Sequence, residues 1–303
     1  MGSVPPDYER GPAPGGPVGE ILPPKGYIPP PPQYGYGPQT PQPPPPQRPR
    51  LRRRWAMAPG TYALVGINCA VWALMSLTGA SPVMPSTESL YVWGANNAGA
   101  VLLNGEWWRI VSAMFVHGGI LHLALNMWCL WNLGLLAEPL MGTFGVMAAY
   151  ILTGAAGNLL STFWNFLHPI HEGGAIVFPV GVGASGAVFG IAGALIVLLK
   201  STRLPVPPQE LKKLRRSVIY FAVINLVIGL SINVGTGYFG SGIAIDNSAH
   251  LGGCASGLLF ATPMVTRIGS PRESFLLRRR VAVVMLTGIL VLFAYYLSTL
   301  PPR

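Results

Sequence analysis

Seven apolar runs free of Asp, Glu, Lys and Arg divide the chain, at residues 61–77, 120–136, 144–166, 182–199, 217–234, 249–264 and 281–297. A run of about 20 apolar residues is long enough to cross a bilayer as a helix. In hydrocarbon every backbone N–H and C=O must be satisfied inside the segment, so helices are the expected outcome. The pattern therefore predicts an all-α polytopic membrane protein. Only 10% of the 303 residues are charged, against roughly 25% in a soluble domain. That balance excludes a soluble globular enzyme.

The net charge of +10 would suit a nucleic-acid partner, but the charges sit beside apolar runs and form no stripe along a domain face. They report topology instead. Seven of the 20 Lys and Arg residues precede the first run, six lie from Lys200 to Arg216, and five lie from Arg267 to Arg280. These 18 share one side if the N-terminus is cytoplasmic; Arg109 and Arg303 fall on the other. The expectation is seven spans, N-in and C-out.

Residues 1–55 are read as a cytoplasmic tail, with 18 of the 31 prolines in the first 50 residues. Such a segment cannot bury enough apolar area to offset ordering entropy, so a disordered chain with polyproline II character is expected. Its proline runs could dock to an SH3- or WW-like groove. The tail is too polar for a signal peptide, so the first span is expected to direct insertion. Cys69, Cys129 and Cys254 lie inside apolar runs without metal-type spacing. They are expected to be free, buried thiols.

Polar side chains at membrane depth are costly and point to function. His117 and His122 bracket the start of the second span, and Asn126 follows His122 by four residues, on the same helical face. Ser185 and His250 begin the fourth and sixth spans, at the same outer end. Histidine is suited to act as a base near neutrality, and a serine hydroxyl needs such a base to become a nucleophile. An asparagine amide and a histidine N–H could stabilise an oxyanion. Gly186, Gly190 and Ala194 on one span face Ala249, Gly253 and Gly257 on another at four-residue spacing, a pattern that lets helices approach closely. Each element also has a structural reading: the Gly-x-Ser-Gly run as helix packing, a lone histidine as a carbonyl donor, Asn126 as interhelical glue. Asp246 is read as a cap for the sixth span, together with Asn247 or Ser248, rather than as a third catalytic carboxylate.

These residues fall in four motifs: Glu106-Trp107-Trp108-Arg109, His117-Gly-Gly-Ile-Leu-His122-Leu-Ala-Leu-Asn126, Gly183-Ala184-Ser185-Gly186 and Ala249-His250-Leu-Gly-Gly253. In this order and on these spans, residues 60–265 resemble the rhomboid family of intramembrane serine proteases. The resemblance implies a six-helix catalytic bundle at 56–266, with a basic loop and an extra C-terminal transmembrane helix at 267–303. It implies a dyad in which His250 is general base to the nucleophile Ser185. His122, Asn126 and the Ser185 N–H would stabilise the oxyanion. His117 would support the second span, and Trp108 with a snorkelling Arg109 would anchor the first connection in the outer interface. Phe189 stands where several relatives carry a tyrosine packed on the catalytic histidine. Gly183, Gly186, Gly253 and Gly257 would serve close packing.

The implied activity is peptide hydrolysis within or near transmembrane helices of membrane-protein substrates. No cofactor, metal or nucleic acid is expected, and the location would be a prokaryotic plasma membrane with the site toward its outer face. The rivals are a non-catalytic rhomboid-like adaptor that binds client helices, and a small transporter. The latter would need broken helices in repeated halves, a pattern not found here.

Overall fold

The computed structural model describes residues 58–201, 204, 206–239, 246–265 and 271–300. The proline-rich tail, and with it the SH3- or WW-type docking reading, lies outside the described residues. The elements in chain order are α1 (Pro59–Leu77), α2 (Thr87–Val92), β1 (Asn96–Asn97), α3 (Ala98–Leu102), α4 (Arg109–Ser112) and α5 (Ile120–Leu167). Then come β2 (Ile170–Glu172), β3 (Ala175–Val177), β4 (Val180–Gly181), α6 (Ser185–Leu198), α7 (Pro208–Phe239), α8 (Asn247–Val265) and α9 (Arg272–Ser298). β2 and β3 form an exposed antiparallel hairpin, whereas β1 and β4 pair across the chain, Asn96 opposite Gly181. Among the described residues α1, α5 and residues 273–298 of α9 are long and apolar enough to cross a membrane, and α6 is apolar but shorter.

The second and third predicted spans are parts of one element, broken only at Gly142, where φ is +73°. The first part continues past Leu136, where the second predicted span ends, because Glu138 is a buried acceptor. Its carboxylate takes hydrogen bonds from the backbone N–H groups of Gly60 (2.9 Å) and Thr61 (2.8 Å). The hydroxyls of Thr61 and Thr143 donate to it as well, both at 2.7 Å. The first N–H groups of a helix have no partner within it, and Ala58 at the start of α1 offers no side-chain cap. Glu138 supplies that cap from another helix. Glu138→Ala is expected to lower stability by about 2–4 kcal/mol, read as an earlier thermal transition of the full chain in detergent. Glu138→Gln should lose less.

Two other helices outrun their apolar runs. α7 starts at Pro208 rather than 217, with Pro at its first turn and a Lys213–Glu210 pair at 2.9 Å. α9 starts at Arg272 rather than 281, and Arg279 Nη1 donates to the carbonyl of Met141 at 3.1 Å. Hydropathy marks where charge begins, whereas the helix ends where its hydrogen bonds end.

At the centre of the bundle lies α6, buried from Gly186 through Leu195 and again at Leu198. Its seam with α8 is made by backbone contact. A methyl group added at Gly253 would lie 2.0 Å from the carbonyl oxygen of Gly186, and one at Gly257 would lie 1.9 Å from that of Gly190. The two small-residue faces read from the sequence thus interlock. α9 packs at the periphery, where buried Leu297 meets Val101, Ile110 and Leu159, while Val284 and Leu292 face outward. The three thiols are free, but Cys69 is exposed and Cys129 and Cys254 are partly exposed, so the expectation of burial fails. An apolar residue on the outer face of a membrane helix is covered by lipid rather than by protein.

Candidate active site

The first connection, from α2 to α4, folds around Arg109. This guanidinium is buried, only 4% exposed. It pairs with Glu106 through Nε (2.6 Å), donates through Nη1 to the carbonyls of Tyr91 (2.6 Å) and Ala95 (3.1 Å), and stacks 3.9 Å over the Tyr91 ring. The snorkelling arginine expected from the sequence is therefore corrected. Arg109 points inward and organises the loop, because three carbonyl or carboxylate acceptors satisfy its charge there. Trp108 remains exposed, with Arg109 4.6 Å from its ring.

Beyond α4 the chain reaches His117, buried completely. Its Nε2 accepts from the N–H of Ala184 (3.4 Å), and Nδ1 lies 3.2 Å from the carbonyl of Phe115. A ring nitrogen that accepts carries no proton, so Nδ1 holds it and donates to Phe115. His117 thus supports the serine turn by hydrogen bonding; toward the start of α5, where the resemblance had placed its support, it offers a ring contact. Its ring meets that of His122 edge-on, 5.3 Å between centres. His122 Nδ1 accepts from the N–H of Gly118 (3.2 Å). This leaves the His122 proton on Nε2. Asn126, one turn further along α5, donates to the carbonyl of His122 at 2.9 Å.

Ser185 is the first residue of α6. The turn before it needs glycine, since Gly183 has φ +112° and its N–H donates to the carbonyl of Ala113 at 2.9 Å. A methyl group on Gly183 would lie 2.8 Å from His122 Nε2 and 3.7 Å from Asn126 Nδ2. The glycine therefore brings the serine turn directly against both side chains. Helix N-termini present unpaired N–H groups, so the turn adds backbone donors to the Nε2–H of His122 and the Asn126 amide.

His250 stands in the first turn of α8, buried at 6% exposure. Phe189, one turn beyond Ser185, stacks flat on its ring at 4.2 Å and 9°. Gly186 faces the carbonyl of Ala249, which a methyl would approach to 3.4 Å. The serine turn and the histidine turn thus lie side by side at one end of the seam. Among the described residues no hydrogen bond joins Ser185 to His250, and His250 Nδ1 has no hydrogen-bond partner. A cavity of about 180 Å³ opens beside His250, lined by Phe189, Ile219, Val223, Leu226 and Leu251.

Asp246 is the cap, together with Ser248: its Oδ1 accepts from the N–H of Ala249 (3.0 Å) and the hydroxyl of Ser248 (2.5 Å). Its other oxygen accepts from Ser161 on α5. Sequence reasoning missed Ser161 and the buried group around it, Asn96, Asn158 and Thr162. For Asn158, Ser161 and Thr162 the signal was present as polar residues three and four apart inside an apolar run, whereas Asn96 lies in the first connection.

Residues 104–267 match the Rhomboid domain family. The chain is 30% identical to the rhomboid protease GluP of Bacillus subtilis (strain 168) over 236 residues, covering 78% of this chain and 40% of GluP. It is 29% identical to the rhomboid protease AarA of Providencia stuartii over 241 residues, covering 78% of this chain and 83% of AarA. RHOMBOID-like protein 6, mitochondrial, of Arabidopsis thaliana is 31% identical over 191 residues, or 63% of this chain and 54% of that protein. With more than half of its length inside the matched domain, the chain belongs to the rhomboid family of integral membrane proteins.

Proposed function

We propose that the chain is an intramembrane serine endopeptidase in which His250 takes the proton of Ser185 as the hydroxyl attacks a substrate carbonyl. The observation that carries this reading is the convergence at the start of α6, where Gly183, two residues before Ser185, lies against His122 and Asn126, and Phe189, one turn after Ser185, stacks on His250. The oxyanion that forms would receive the Nε2–H of His122, the amide of Asn126 and the N–H groups of the serine turn. His250 would then deliver its proton to the departing amine, and water would release the acyl-enzyme. Two of the relatives are named rhomboid proteases, which accords with this chemistry.

The topology proposed is seven spans, N-in and C-out, with the tail at 1–55, the catalytic bundle at 56–266 and the appended helix at 267–303. The setting would be a prokaryotic plasma membrane, with the site toward its outer face. A 14-residue helix such as α6 spans roughly 21 Å, less than a hydrocarbon core of about 30 Å. A centrally held short helix leaves its first residue below one surface, with room for water above. The substrate would be a transmembrane helix of another protein, admitted sideways between α7 and the first part of α5. Among the described residues few contacts hold α7 to α6 and α8, so α7 is the helix best suited to move aside. The peptide must unwind locally, because a helical carbonyl is already hydrogen-bonded.

One observation favours the alternative of a non-catalytic adaptor that binds client helices: Ser185 and His250 are not hydrogen-bonded to each other. Catalytic hydrogen bonds often tighten only with substrate, and both side chains needed for chemistry are present. The deciding experiment is cleavage of a single-span reporter by the full chain in proteoliposomes, alongside labelling by a serine-directed fluorophosphonate. The protease cuts the reporter and takes up the label; an adaptor does neither. Asn126→Ala is expected to lower kcat by about 10²-fold, the effect of removing one oxyanion donor, with KM nearly unchanged in the same assay.

A further inference from the structure

We propose that Asp246 and Ser161 form a positioning pair that sets the depth of the His250 imidazole, a role that rests on His250 being the general base. The turn that carries His250 has two fixed points on the second part of α5. At one, a methyl group added to Gly157 would lie 2.6 Å from the carbonyl of Ala249, so backbone meets backbone. At the other, one turn further along, the Ser161 hydroxyl donates to Asp246 Oδ2. Ser161 is fully buried, and its oxygen receives N–H groups from Asn165 (3.3 Å) and Asn96 (3.5 Å). A hydroxyl has one proton and two lone pairs. With both lone pairs engaged, its proton is directed at Asp246.

Asp246 passes this anchor into the turn through its other oxygen, which accepts from the Ala249 N–H at 3.0 Å, while its carbonyl accepts from the His250 N–H at 3.2 Å. Both carboxylate oxygens are thereby occupied by groups other than the imidazole, whose Nδ1 has no hydrogen-bond partner among the described residues. Asp246 acts on His250 through the backbone of the turn and not as the third member of a triad. Asn96 also joins the first connection to the same point, since its Nδ2 donates to the carbonyl of Asn158 (3.1 Å) and its Oδ1 accepts from Thr162 (3.0 Å).

The test uses the full chain in proteoliposomes with a fluorescent single-span reporter. Asp246→Ala is expected to lower kcat by about 10²-fold, the scale of an ångström of misplacement, with KM within about twofold. Asp246→Asn keeps the cap on Ala249, since asparagine caps as well as aspartate, but turns an amide N–H toward the Ser161 proton, so it should lower kcat by about tenfold, as Ser161→Ala does. Ser161→Ala, which leaves the cap intact, should lower kcat by about tenfold. Combining it with Asp246→Ala should cost no more than Asp246→Ala alone, because the two act as one unit. A separate readout does not depend on cleavage: in a Ser185→Ala background, exchange of the Ala249 amide hydrogen should be slow and should accelerate when Asp246 or Ser161 is replaced by alanine. If wild type fails to cut the reporter but the exchange pattern holds, the protease reading falls and the anchor stands. The proposal is overturned if Ser161→Ala keeps wild-type kcat, if Asp246→Asn loses as much as Asp246→Ala, or if Ala249 exchange ignores both changes.

Discussion

Ser185→Ala is expected to reduce cleavage of the reporter by at least about 10⁴-fold while the protein accumulates and melts as wild type does. The reason lies in where the hydroxyl sits. Ser185 is only half-buried at the first position of α6, and among the described residues no hydrogen bond of its hydroxyl holds the turn together. The turn is held by Gly183 on Ala113 and by Ala184 on His117. Removing one oxygen atom therefore takes away the nucleophile and almost nothing else. Loss of fluorophosphonate labelling should accompany loss of cleavage. Undiminished turnover by the alanine variant, measured with the same lipid and reporter, would remove the dyad altogether.

Gly257→Val should have the largest effect on the fold. Position 257 is two turns below His250, far from any reacting group, yet a single methyl there would lie 1.9 Å from the carbonyl of Gly190. That oxygen belongs to the backbone of a helix buried on all sides, so it cannot rotate away as a side chain would. α6 and α8 would have to separate by more than an ångström along a seam whose stability depends on close contact between small residues. The expected cost is about 3 kcal/mol or more, seen as aggregation or an early thermal transition. Any folded remainder should cut poorly, because the same separation moves His250 from Ser185. Gly288→Ala is the control: nothing lies within 4 Å of a methyl at Gly288 on α9, so this change should leave both melting and cleavage as they are.

Much of this architecture was legible before any coordinates. Periodic absence of charge marked the helices, and the four-residue spacing of Gly186, Gly190, Gly253 and Gly257 marked the seam; it was the family resemblance that set Phe189 beside the histidine on which it stacks. What misled was reading charge as a signal of exposure. The second span was ended at Leu136, yet the helix runs on through Glu138, a buried cap satisfied by donors from 77 and 78 residues away. Arg109 was sent outward to the interface, and it turns inward because the carbonyls of Tyr91 and Ala95 wait for it. A charged residue in a membrane protein follows its partners, and partners distant in the chain leave no local trace.

The same distinction separates the two levels of description. Which segments become helices, and which of their faces are small enough to touch, follows from residue type and spacing, since bilayer insertion and helix periodicity are local properties. Whether the helices meet at a depth that brings Ser185, His122, Asn126 and His250 together is decided by contacts such as Gly253 on Gly186, Ala184 on His117 and Ser161 on Asp246. Those contacts exist only once the bundle has closed, because each joins residues that nothing in the extended chain keeps near each other.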